Sequence, residues 1–130
     1  MTISIDALDA DVGRIFFGAF AALRPMQMAA IRSLCAGRNA ILSAGTGSGK
    51  TEAVVAPLTS RYRKEAIQND STFLVYVSPT KALANDLHRR LASPLESLGL
   101  RLAVRHGDRN DRERSPPPSP CGSRWRGVSR

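Results

Sequence analysis

Cysteine is scarce in this chain. There are only two, Cys35 and Cys121, far apart and outside any C-x-x-C pair. That spacing supplies neither a zinc site nor a disulfide framework. Long apolar runs are also missing, since none approaches the roughly 18–20 residues that a membrane span needs. The opening MTISIDALDADVGR is acidic and lacks the basic start and apolar centre of a secretory signal. These features predict a cytoplasmic location and no membrane partner.

What is present suits one globular unit. The chain has 130 residues, 42% hydrophobic and 23% charged, enough for one domain with a core. Its net charge is +8, unevenly placed: residues 1–100 carry a net +3, and residues 101–130 carry a net +5. A basic surface is compatible with phosphate-rich partners, but a charged tail in solvent explains the same excess.

The apolar pattern alternates between two periods. Ile5, Leu8, Val12, Ile15, Phe16, Phe17 and Phe20 fit a packed helix. Pro25 is placed to begin a second helix that runs through Met28, Ile31 and Leu34 and stops at Gly37. The run 39–43 reads as a short strand, followed by a glycine-rich loop and a helix from Lys50. Pro57 is expected to kink or shorten that helix. Residues 72–78, TFLVYVS, read as a strand covered on both faces. Leu83, Leu87, Leu91, Leu95 and Leu98 form a helical stripe opposite a polar face of Asn85, Asp86, Arg89 and Arg90, with Pro94 near its end. Residues 102–104 offer a third strand. Strands alternating with helices predict an α/β fold with a parallel sheet.

The loop itself reads SAGTGSGKTEA over residues 43–53. Gly45, Gly47 and Gly49 let successive backbone N–H groups turn toward an anion. The helix that begins near Lys50 adds the positive end of its dipole. In the pattern G-x-x-x-x-G-K-[ST], the Lys50 ammonium reaches the β- and γ-phosphates of a nucleotide, and the Thr51 hydroxyl coordinates Mg²⁺. The first position is Ala44 in place of Gly, a mild change because the position mainly needs to be small. The candidate nucleotide contacts are therefore Ala44, Gly45, Thr46, Gly47, Ser48, Gly49, Lys50 and Thr51. Lys50 and Thr51 carry the chemistry, and Thr51 is the one metal ligand.

Three flanking segments narrow the family: RPMQ at 24–27, SPTKALA at 78–84 and VRHGD at 104–108. With them the chain, over about residues 15–114, resembles a superfamily 2 helicase of the DEAD/DEAH-box type. The set GTGSGKTEA, SPTKALANDL and VRHGD looks most like the large Lhr-type helicases. The resemblance implies an incomplete first RecA-like domain over residues 1–114 that uses ATP and Mg²⁺ and grips a DNA or RNA backbone. It implies that Gln27 reads the adenine edge and that Pro79, Thr80 and Lys81 meet the nucleic-acid backbone. Gly107 and Asp108 would lie beside the same groove. Many relatives stack an aromatic ring on adenine, and Phe16, Phe17 and Phe20 are the candidates here.

Helicases of this type also carry an Asp-Glu pair that positions Mg²⁺ and activates water. No Asp-Glu dipeptide occurs in these 130 residues. Phosphoryl transfer needs metal, positioned water and a charge-stabilising arginine together. The isolated chain is thus expected to bind nucleotide and turn it over slowly at most. After Arg114 the composition changes: four of the eight prolines fall within residues 116–120. This predicts a disordered Pro/Arg-rich tail over 115–130, read from a shifted or foreign frame. Two other readings of the chain remain open here. One is a different P-loop enzyme, such as a secretion or partition ATPase. The other is a non-enzymatic fragment that binds nucleic acid or a partner.

Overall fold

The computed structural model describes residues 7–105. Four helices follow one another: α1 (Ala10–Phe17), α2 (Pro25–Cys35), α3 (Lys50–Asn69) and α4 (Lys81–Ser97). Each starts where its sequence offers a start. The Asp9 carboxylate caps α1 by accepting from the Asp11 N–H at 3.1 Å. Pro25 occupies the first turn of α2, where a missing N–H costs nothing. The Thr80 hydroxyl caps α4 by accepting from the Leu83 N–H at 3.2 Å.

α3 is the central element, and both α1 and α2 pack on it. Val12, Phe16 and Phe17 from α1 join Ile31 from α2 and Val55, Ala56 and Ala66 from α3 in one buried cluster. The leucine stripe of α4 closes it: Leu87, Leu91, Leu95 and the following Leu98 are buried, while Leu83 is exposed. Polar ties fix the same arrangement. The Asp9 N–H donates to Ser60 Oγ at 2.6 Å, and Arg63 Nε donates to the Leu98 carbonyl at 2.8 Å. Cys35 packs against this core, and burial pushes its thiol pKa up while Arg61 pulls it back. A raised thiol is a poor nucleophile, which suits a packing role.

Two sequence expectations are corrected here. First, the parallel sheet is absent: no strand is formed among the described residues, and the described fold is helical. The apolar runs that suggested strands carry no regular structure at 39–45, 71–78 and 101–105. Periodicity reports a tendency to be buried, whereas a strand exists only through ladder hydrogen bonds to a neighbour. Here the runs are largely open to solvent, with Ile41 100%, Val75 77% and Val77 86% exposed. Only Phe73, Leu74 and Leu102 lean on the helical core.

Second, Pro57 does not shorten its helix. α3 continues twelve residues beyond Pro57 to Asn69, and α4 continues past Pro94 to Ser97. Proline removes one helical hydrogen bond. In α3 that loss is offset by burial, because Pro57 and its neighbours Val55, Ala56 and Thr59 are all enclosed. The predicted boundary at 114 and the tail at 115–130 lie outside the described residues.

Candidate nucleotide site

The loop 44–49 feeds directly into α3. Gly49 takes the N-cap position with φ +80°, a left-handed conformation that L side chains rarely adopt. No side chain caps this helix end, so its first-turn N–H groups face the loop without a side-chain acceptor. The loop is open around its glycines: a Cβ at Gly45 or Gly47 would meet nothing within 4 Å. Lys50 folds back into it, its Nζ donating to the Ala44 and Gly45 carbonyls at 2.6 Å each and lying 3.4 Å from Ser48 Oγ. The ammonium thus sits inside the concavity that its own backbone makes.

Residues from three other segments complete the wall of a cavity of about 320 Å³. Gln27 is buried at 7% exposure. Its Oε1 accepts from the Arg24 N–H at 2.9 Å, the side-chain half of a capping box on α2. Its amide nitrogen packs against Gly49 closely enough that any Cβ there would collide with it. The Arg24 guanidinium donates to the Gly47 carbonyl at 3.4 Å. RPMQ and the loop are therefore one unit, as their order in the sequence suggests. Gln27 acts first as a brace, with its acceptor oxygen already engaged.

The structure places the three phenylalanines differently. Phe16 and Phe17 are core residues at 7% and 1% exposure. Phe20 is 61% exposed and lines the cavity. Three charged residues that sequence reading did not assign to the site line it as well: Arg24, Glu52 and Arg90. Arg24 and Glu52 adjoin the motifs, so their positions were a usable signal. Arg90 carried none beyond its place on the polar face of α4.

The donor set fits a nucleotide phosphate: an open glycine loop, an uncapped helix N-terminus and a lysine inside the loop. Comparison with known proteins supplies the family. The family model described as DEAD/DEAH box helicase matches residues 24–116. The chain belongs to the DEAD/DEAH box helicase family. It is 38% identical over 104 residues to the "ATP-dependent helicase Lhr-Core" of Methanothermobacter thermautotrophicus, covering 68% of this chain and 12% of that protein. With "ATP-dependent helicase Lhr-Core protein 2" of Thermococcus barophilus the identity is 33% over 114 residues, 76% of this chain and 13% of that one. With the "Probable ATP-dependent RNA helicase DDX52" of Bos taurus it is 37% over 82 residues, 63% and 13%. The chain therefore spans about an eighth of the length of these relatives. No solved structure matches it.

In this family member the other candidate residues stand apart from the cavity. Pro79, Thr80 and Lys81 form the exposed N-terminal entry of α4 and do not line it. The Ser78 hydroxyl donates to the Thr80 carbonyl at 3.1 Å and steadies that turn. Gly107 and Asp108 lie outside the described residues. Among the described residues, no cluster of three or more His, Cys, Asp or Glu is placed to hold a metal, and no helix is long and apolar enough to cross a membrane.

Proposed function

We propose that this chain binds Mg-ATP at residues 44–51 and is the nucleotide-binding part of an ATP-dependent helicase acting on a DNA or RNA backbone. One observation carries the reading: Lys50 Nζ lies inside an open glycine loop at an uncapped helix N-terminus. The family match decides against secretion and partition ATPases.

The roles follow from the groups present. Backbone N–H groups of Gly45–Gly49 and the α3 dipole bind phosphate oxygens. Lys50 exchanges the Ala44 and Gly45 carbonyls for the β- and γ-phosphates, a stronger, charge-assisted pairing. Thr51 supplies a hydroxyl to Mg²⁺. Bound Mg-ATP brings the cleavable phosphoryl group and the metal that neutralises it. Gln27 and Arg24 hold the loop at Gly47 and Gly49, and Phe20 offers a ring to the base. Pro79, Thr80 and Lys81, with Gly107 and Asp108, would meet the nucleic-acid backbone, which a motor must grip whatever its sequence. Slow turnover at most is expected of these 130 residues.

Calorimetric titration of the full chain with Mg-ATP and with Mg-tripolyphosphate tests the assignment. Both should bind. Phe20→Ala should weaken ATP about tenfold, since aromatic stacking on a base is worth roughly 1–3 kcal/mol, and should leave tripolyphosphate unchanged. Equal losses for both ligands would place Phe20 away from the base.

A further inference from the structure

Among the described residues, the cavity wall carries three cations, Arg24, Lys50 and Arg90, and a single carboxylate, Glu52. Glu52 stands two residues after Lys50 in the first turn of α3. An acid there favours the helix dipole, yet it also sets a negative charge beside the place where a polyanion is to bind. Its side chain is only 22% exposed, so water screens it poorly. Arg90 reaches across from α4 and bonds it, Nη2 to Oε1 at 2.5 Å. Arg90 Nη1 also lies 3.8 Å from Asp86 Oδ2 on its own helix. Arg90 is itself exposed and lies outside the buried cluster, so core packing does not require it.

We propose that Arg90 is a positioning residue for nucleotide binding: by pairing with Glu52 it cancels the one negative charge in the phosphate cavity. The proposal rests on the Mg-ATP reading given above. It makes a signed prediction that a structural salt bridge does not. Arg90→Ala and Glu52→Gln break the same ion pair. If the pair only ties α3 to α4, both substitutions weaken binding alike. If its role is electrostatic, only Arg90→Ala weakens binding, because only that change leaves Glu52 unopposed.

The experiment is a calorimetric titration of the full chain and its variants with Mg-ATP, Mg-ADP and adenosine. Arg90→Ala should weaken ATP about tenfold, ADP less, and adenosine not at all. Glu52→Gln should bind ATP at least as well as the parent. The double variant should return to within about twofold of the parent, and Arg90→Lys should retain most of the affinity. Equal loss for ATP and adenosine, or a double variant as weak as Arg90→Ala, overturns the proposal. Should Arg90→Ala melt before binding can be read, a loss of ATP affinity in Glu52→Gln overturns it instead. A parent chain that binds neither ATP nor ADP overturns the nucleotide reading itself. A parent that binds both, beside an unchanged Arg90→Ala variant, overturns only the role of Arg90.

Discussion

Lys50→Ala is expected to weaken Mg-ATP binding by about 100-fold or more in calorimetry. Among the described residues, the ammonium is the only lysine charge on the cavity wall, and it sits where the loop carbonyls of Ala44 and Gly45 converge at 2.6 Å. Hydrogen bonds to a charged group are worth about 1.5–3 kcal/mol each. Losing two phosphate contacts of that kind therefore removes at least two powers of ten in affinity. The substitution also removes two bonds that hold the loop in shape, so tripolyphosphate should weaken in step with ATP. The melting temperature should change little, because Lys50 contributes nothing to the buried cluster. An affinity within threefold of the parent would mean that phosphates do not occupy this loop.

The second large effect concerns the scaffold. Phe17→Ala should cost about 3–5 kcal/mol in denaturant unfolding followed by helical circular dichroism. Phe17 is 1% exposed and belongs to the cluster that joins α1 to α3 and α4. Domains of this size hold only about 5–15 kcal/mol in total, so the variant should lose a large share of its stability. Phe16→Ala, at the cluster margin with 7% exposure, should cost less. A loss below about 1 kcal/mol for Phe17→Ala would show that α1 is not docked as described.

The motifs were more legible than the fold around them. Residues 44–51 announce themselves because the constraint is local: small residues, then Lys-Thr at a helix start. Gln27 was singled out by its place before the loop, and the structure buries it against Gly49. The ambiguity among Phe16, Phe17 and Phe20 could not be resolved by spacing, since which ring faces the core depends on how α1 ends. Arg90 was out of reach for a similar reason. Its meeting with Glu52 spans 38 positions and depends on how α4 lies against α3. All four helices were legible from apolar period and start signals, though Pro57 suggested a shorter α3 than the one that forms. The sheet was misread because apolar runs at 39–43 and 72–78 specify stickiness without specifying a partner.

The most direct test of the account is a backbone amide NMR titration of the full chain with Mg-ATP. The account predicts that the largest shift changes fall on Gly45, Gly47, Gly49, Lys50 and Thr51, with smaller ones at Arg24 and Gln27. Saturable binding that leaves those amides unmoved, or no binding at millimolar Mg-ATP, would contradict it.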